Sequence, residues 1–221
     1  MTVSYGSIPV RLNRRQLLIR SSAGLAAAGF ALNALPAFAQ SVDVEELMTP
    51  GPLPEMVLGS EDAPLTIVEY ASMTCGHCAN FHKYSYPHLK SEYIDTGKVR
   101  FVFREFPLDP VAAAAFMLAR GLPEDKYFDA IDLMFETQSS WAFTDDPYTA
   151  LLKLGQQIGY TKETAEKTLG DQKLLDSITA IRTRAGEKFG VKSTPTFFFD
   201  GNMVGGALTV AQLDAEIAKY L

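Results

Sequence analysis

The pattern of apolar and polar positions predicts a strand, a helix and a second strand at the front of the chain. Residues 64–70 form a short apolar run with a proline at its start, which is typical of a buried strand. Apolar residues then recur at helical spacing over 75–93, where Pro87 should kink the helix. Residues 99–106 alternate between apolar and polar and predict the second strand. This order favours a right-handed parallel crossover.

Helical periodicity dominates the middle of the chain, and the strand pattern returns near its end. Helices are predicted at 111–120, 124–136, 147–158, 162–169 and 173–189. Residues 196–199 and 202–205 predict a hairpin around Asp200-Gly201, and Thr209 should cap a last helix over 210–221. The whole pattern predicts an α/β fold, in which a central mixed sheet is flanked by helices and a block of helices is inserted into it.

Residues 1–39 have the pattern of an export signal. They contain four arginines and no acidic residue, and the uncharged stretch 21–39 ends in the small-x-small sequence Ala37-Phe38-Ala39. We expect cleavage after about Ala39 and a periplasmic location. An uncleaved anchor is the alternative, because 19 uncharged residues almost span a bilayer. Arg14-Arg15 resembles the twin-arginine export signal, although general secretion would accept the same segment.

Composition changes the picture mainly through charge. With 47% hydrophobic residues, the chain can bury a core. Its net charge is −6, and removal of the four arginines of 1–39 leaves 16 basic and 26 acidic residues, a net charge of −10. Neutralisation of phosphates requires a basic patch, so this balance argues against nucleic acid as a partner.

The chain has only two cysteines, Cys75 and Cys78, and they lie three residues apart at the predicted start of a helix. Unpaired backbone N–H groups and the helix dipole stabilise a thiolate there. Thiols at such sites have pKa values of about 3.5–7.5, compared with about 8.5 for a free thiol. A stabilised thiolate makes the corresponding disulfide an oxidant. His77 can add positive charge, and Gly76 adds no bulk beside the first sulfur. We therefore predict a redox-active pair.

Three other interpretations of the two cysteines compete with a redox pair. A structural disulfide is possible in an exported protein, but a ring of about four residues constrains the unfolded chain little. A zinc site needs about four ligands, and the other candidates are His77, His82 and His88, all in the same segment. Two inert thiols would not require a strand–CxxC–helix context, which is typical of thioredoxin-like proteins. We expect no metal and no bound cofactor.

Three motifs in chain order resemble the exported DsbA-type thiol oxidoreductases. They are residues 66–78, with Cys75-Gly76-His77-Cys78 at their end, then 103–108, then 193–198. The resemblance covers nearly the whole chain after residue 39 and implies a thioredoxin fold with a helical insertion. The implied domain organisation begins with an irregular lead-in over 40–62. A thioredoxin-like domain follows in two pieces, 63–109 and 190–221, and a helical domain over 110–189 is inserted between them.

The resemblance also implies roles for individual residues. Cys75 would be the exposed nucleophile and Cys78 the buried resolving cysteine. Thr194-Pro195 would form a cis-proline turn facing the disulfide, and the backbone of Thr194 would pair with an extended substrate segment. Glu69 would be a buried acid that relays protons at Cys78, whereas an exposed glutamate is the plainer alternative.

The implied substrates are reduced or misoxidised exported proteins, and the implied reoxidant is a membrane quinone-linked thiol oxidase. A monomer is expected, because residues 40–62 are too few for a dimerisation domain. Gly76-His77 and Thr194 also resemble isomerases, so a reductase or isomerase of the same fold stays open. A binding protein or chaperone with a structural Cys75–Cys78 bridge is the third hypothesis.

Other conspicuous side chains have plain structural interpretations. Trp141 and the three phenylalanines of 197–199 are expected to pack in the core. His82 and His88 are expected to be exposed on their helix.

Overall fold

The sheet has five strands in the order β1-β3-β2-β4-β5 within residues 41–221, the part of the chain that this computed structural model describes. The strands are β1 (Met56–Leu58), β2 (Leu65–Ala71), β3 (Val99–Glu105), β4 (Thr196–Phe199) and β5 (Asn202–Gly205). β2 and β3 run parallel, whereas β4 is antiparallel to both β2 and β5. The predicted mixed sheet is thus confirmed. The export signal predicted for 1–39 lies outside the described residues.

Helices occupy most of the remaining described chain. They are α1 (Val44–Met48), α2 (Gly76–Tyr84), α3 (Tyr86–Leu89), α4 (Pro110–Arg120), α5 (Tyr127–Glu136), α6 (Gln138–Trp141), α7 (Pro147–Gln157), α8 (Lys162–Leu169), α9 (Gln172–Phe189) and α10 (Val210–Ile217). A π-helical turn (Lys90–Ile94) follows α3, and a 3₁₀ turn (Glu124–Lys126) precedes α5. Several helices begin after an Asp or Thr whose side chain accepts a first-turn N–H, which fixes their starts. These caps are Asp43, Asp109, Asp146, Thr161, Asp171 and Thr209.

The lead-in over 40–62 is more regular than its sequence predicts. It contains α1 and β1, and β1 pairs antiparallel with β3, so that Met56 lies opposite Phe103. Three residues are too few to show a periodicity. Their hydrogen-bond partners come from the edge of β3, about 45 residues later in the chain, so the strand forms only in the folded protein.

The helix predicted over 75–93 is interrupted rather than only kinked. α2 ends at Tyr84 and α3 restarts at Tyr86, with Pro87 in its first turn. Proline has no N–H to donate within a helix, but the first turn does not need one, so the helix restarts there. The last helix, predicted to reach residue 221, ends at Ile217.

The core lies on both faces of the sheet. The larger cluster packs β2 and β3 against helices that include α2, α4 and α5. The smaller cluster packs the opposite face, including Val68 and Phe198, against Ile181 and Phe189 of α9. α9 therefore covers the sheet although it falls within the range predicted as the insertion, whose boundaries stay a prediction. Within residues 41–221, every helix is too short or too polar to cross a membrane.

Two predictions about core side chains are confirmed. The three phenylalanines of β4 are fully buried. Trp141 is also buried, and its indole N–H donates to the carbonyl of Met134 at 3.0 Å, so it packs the inserted helices.

Candidate active site

The two cysteines sit where β2 turns into α2. Cys75 is the N-cap residue of α2, and Cys78 lies in the first turn of that helix. The Cys75 N–H donates to the carbonyl of Ser72 at 3.1 Å, which closes the turn after β2. Both cysteines are present as free thiols. The turn therefore presents the first sulfur at the end of the sheet and directs the second towards the core.

Cys75 is less exposed than the resemblance implies. Its relative exposure is 8%, and that of Cys78 is 0%. Gly76 and His77, between them, are exposed. A Cβ at Gly76 would meet no atom within 4 Å, so the glycine is not required by local packing. Cys75 is partly covered because a second loop lies directly against its sulfur.

That second loop is the Thr194-Pro195 turn, and its peptide bond is cis, as predicted. The Sγ atom of Cys75 lies 3.3 Å from the carbonyl oxygen of Thr194, which accepts a hydrogen bond from Cys75 when the thiol is protonated. The two residues are 119 positions apart in the chain. β4 begins at Thr196, so its antiparallel pairing with β2 brings the turn to the CxxC motif. The main chain of Thr194 and the reactive sulfur thus face the same site.

The two thiols have opposite acidities. A hydrogen bond from Cys78 is the largest cause that lowers the pKa of Cys75 to about 5, and burial opposes it. The side chain of Thr194 and the backbone amides of Cys78 and His77 lower it further. Burial is the main cause that raises the pKa of Cys78 well above its usual value, and the nearby charge of Glu69 adds to it. At neutral pH, Cys75 is the thiolate and Cys78 the thiol.

Glu69 is buried, as its place on an apolar strand predicts, and it has a partner that the sequence did not reveal. Its Oε2 atom lies 3.1 Å from Nε2 of His82, and its exposure is 0%. The Nδ1 atom of the same ring lies 3.8 Å from Oδ1 of Asp132 on α5. The prediction that His82 is exposed is therefore wrong.

The spacing in α2 explains the burial of His82. Cys78 and His82 are four residues apart, so they lie on the same helix face, one turn from each other. That spacing was the available signal, because a buried cysteine implies a buried neighbour at this offset. His88, on α3, is partly exposed, and its Nε2 atom lies 2.8 Å from Oδ1 of Asp214.

Gln138 is a further residue at the site that sequence reasoning missed. Its buried side-chain amide donates to the carbonyls of Met73 and Cys75, at 2.8 and 3.0 Å. It belongs to α6 and so ties the inserted helices to the CxxC turn. No local pattern could indicate this contact, because the partners are more than 60 residues apart in the chain.

The chain is similar to known proteins over most of its described length. The family model described as thioredoxin matches residues 53–219. A Rickettsia bellii protein, provisionally named a protein-disulfide oxidoreductase, is 36% identical over 151 residues, which are 66% of this chain and 57% of that protein. The chain spans little more than half the length of the Rickettsia relatives that it matches.

Solved structures show the same similarity. For alpha-DsbA1 from Wolbachia pipientis, the TM-score is 0.73 at 30% identity, with 80% of this chain and 96% of that chain covered. BdbD from Bacillus subtilis has the same fold, with a TM-score of 0.66 at 19% identity over 82% of this chain and 96% of its own. The family match, the fold and the pairing of a CxxC helix start with a cis-proline turn agree. The chain belongs to the thioredoxin family, among its DsbA-type members.

Proposed function

We propose that this protein is an exported dithiol–disulfide oxidoreductase that transfers a Cys75–Cys78 disulfide to other proteins. The observation that carries the proposal is the asymmetry of the two thiols. Cys75, with a pKa of about 5, lies against the cis-proline turn, whereas Cys78 is fully buried with a raised pKa. A chain with a merely structural bridge would not need a stabilised thiolate beside a cis-proline turn.

The transfer proceeds in two exchange steps. A substrate thiolate attacks Sγ of Cys75 in the disulfide form, so the Cys75–Cys78 bond breaks and Cys78 leaves and takes up a proton. A second substrate thiolate then attacks the substrate sulfur of the mixed disulfide, and Cys75 leaves as its thiolate. The low pKa of Cys75 favours this direction, because a stabilised thiolate is the better leaving group.

The substrates we propose are reduced or misoxidised exported proteins in the periplasm. An extended substrate segment would pair with the main chain at Thr194, whose carbonyl lies next to the reactive sulfur. A membrane quinone-linked thiol oxidase would then restore the disulfide, and the protein would act as a monomer. The twin-arginine or general secretion signal of 1–39 would deliver the chain there.

A reductase or isomerase of the same fold is the second candidate. The observation that favours it is the pair Gly76-His77, together with Thr194 before the cis-proline, which resemble isomerases. The two directions differ in redox potential rather than in the residues used. Equilibration with glutathione distinguishes them: a potential near about −120 mV, as in DsbA, supports an oxidase, and one near about −270 mV, as in thioredoxin, supports a reductase.

Two cysteine variants test the chemistry itself. Cys75→Ser should abolish oxidation of a dithiol peptide. Cys78→Ala, mixed with oxidised glutathione, should accumulate a Cys75–glutathione mixed disulfide with release of one reduced glutathione, because no second thiol is left to resolve it; the mass of the intact protein detects the product. Full dithiol oxidation by Cys75→Ser would refute the proposed function.

A further inference from the structure

Three polar side chains form a row from the protein surface towards the buried thiol of Cys78. Asp132 on α5 is at its outer end with 49% of its side chain exposed, His82 on α2 follows with 3%, and Glu69 on β2 is fully buried. The ring nitrogens of His82 face the two carboxylates, at 3.1 Å from Glu69 and 3.8 Å from Asp132. Neither His82 nor Asp132 takes part in the two exchange steps described above.

Aromatic side chains hold the His82 ring in one orientation. The ring stacks on Phe135 with centroids 4.3 Å apart, and it lies 4.7 Å from the ring of Tyr86. Phe81 and Phe103 meet it edge-on. A ring packed in this way cannot turn freely, so each nitrogen stays with its own carboxylate.

The charged and titratable surroundings of His82 favour its protonated form. Glu69 faces it from β2, Asp132 from α5 and the phenol of Tyr86 from α3, while Cys78 lies one turn away on α2. The ring also lines a cavity of about 370 Å³, whose other ionisable wall residues are Lys83, Lys90, Asp132, Tyr86 and Glu136. Although burial opposes it, the two carboxylates raise the pKa of His82 to about 9. The ring is therefore an imidazolium at neutral pH.

Cys78 needs a proton during substrate oxidation. It leaves as a thiolate in a fully buried position, where its pKa is raised well above the usual value. Solvent does not reach this sulfur, whose residue is 0% exposed, so a protein group has to deliver the proton. Glu69 is close enough for its charge to raise the pKa of Cys78, and its Oε1 atom is buried without a hydrogen-bond partner. A proton donor in contact with Glu69 meets this need, and His82 is in contact with it at 3.1 Å.

We propose that the His82 imidazolium, which faces Asp132 at 3.8 Å, supplies through Glu69 the proton that Cys78 takes up when a substrate reduces the disulfide. The proton on Nε2 passes to the carboxylate of Glu69 and from its carboxyl group to the Cys78 sulfur, which leaves a neutral ring with its Nδ1 proton facing Asp132. One proton moves and no electron is transferred in this relay. His82 touches neither the substrate nor a reacting sulfur, so it is a positioning residue, and its role rests on the proposed function.

The test is the pH dependence of disulfide reduction in the full chain. The oxidised protein is mixed with reduced glutathione, the reaction is quenched with acid, and alkylated protein is counted by mass spectrometry. The rate constant is divided by the glutathione thiolate fraction. For the wild type, this rate per thiolate should fall as the pH rises through the pKa of His82, near 9. In His82→Gln, it should be at least about tenfold lower at pH 7 and independent of pH, because the donor is lost.

Two further variants make the result specific. His88→Gln removes the partly exposed histidine of α3 and should reproduce the wild-type profile. Asp132→Asn removes a carboxylate that raises the pKa of His82, so the fall in rate per thiolate should move to lower pH. Asp132 is half exposed, so this variant carries the test if His82→Gln does not fold.

The outcomes separate the relay from the proposed function. A wild-type disulfide that does not react with glutathione overturns the proposed function and the relay with it. If the wild type reacts but His82→Gln or Asp132→Asn keeps the wild-type rate and profile, only the relay is overturned.

Discussion

The thiolate of Cys75 should couple the stability of the reduced fold to pH. In the folded protein its pKa is about 5, lowered from 9.0 chiefly by the hydrogen bond from Cys78, a contact that the unfolded chain lacks. Each pKa unit corresponds to about 1.4 kcal/mol. Because the folded pKa is the lower one, the stabilisation is complete above pH 9 and is lost as the pH falls towards 5. It amounts to at most about 5 kcal/mol when complete and at most about 3 kcal/mol at pH 7, because solvent at the site screens part of the interaction.

The assay compares the reduced wild type with Cys75→Ser. Urea unfolding of both proteins, in a phosphine reductant, gives the free energy of unfolding at each pH between 5 and 9. The difference between them should grow by up to about 1.4 kcal/mol per pH unit, since all other titrating groups are common to both. In Cys78→Ala the largest cause of the low pKa is removed, so the growth should begin at higher pH. A wild-type difference that stays constant across this range would refute the reasoning.

The remaining predictions concern backbone and packing around the site. Gln138→Ala removes two hydrogen bonds to carbonyls of the CxxC turn and should cost about 1–3 kcal/mol in unfolding free energy, measured by urea titration. Gly76→Ala should change stability by less than about 0.5 kcal/mol in the same measurement, because its added Cβ meets open space. Gly201→Ala should be clearly destabilising in that measurement, because φ there is +83° and the Cβ would lie 2.6 Å from a backbone oxygen. Equal unfolding free energies for these two glycine variants would contradict this account.

Local patterns in the sequence predict the elements that bury a regular face. The strands at 65–71 and 99–105, the helix starts at acidic or threonine caps and the hairpin around Asp200-Gly201 all follow from residues within one element. Strand β1 cannot be predicted from its own residues, because these three residues form a strand only by pairing with the edge of β3. Pro87 predicts that the helix is disturbed nearby. The position of the break, at Ser85, depends on which backbone N–H and C=O groups find hydrogen-bond partners in the neighbouring turns.

The same division applies to the site. Cys75 and Cys78 can be recognised from the sequence, because their chemistry depends on their spacing at a helix start. The cis-proline turn is predicted by the resemblance of its motif to a known family. The intrinsic preference of X–Pro bonds would predict trans, since only about 5–6% of them are cis. Gln138 and Asp132 reach the site from α6 and α5, and their contacts depend on how the inserted helices pack. Long-range side-chain contacts of this kind leave no trace in a local pattern.

The position of His82 connects the fold to the chemistry. A redox pair at a helix start needs one sulfur that is stabilised as a thiolate and one that is not. Cys75 meets the first condition as the N-cap residue, where the hydrogen bond from Cys78 and the backbone amides of the first turn lower its pKa. Cys78, three residues further along in the same turn, is fully buried, which raises its pKa, and the carboxylate of Glu69 raises it further. A buried carboxylate is costly unless it is paired, and His82, on the same helix face as Cys78, supplies the counter-charge. The arrangement that separates the acidities of the two thiols therefore also places a protonated ring behind the thiol that must be protonated.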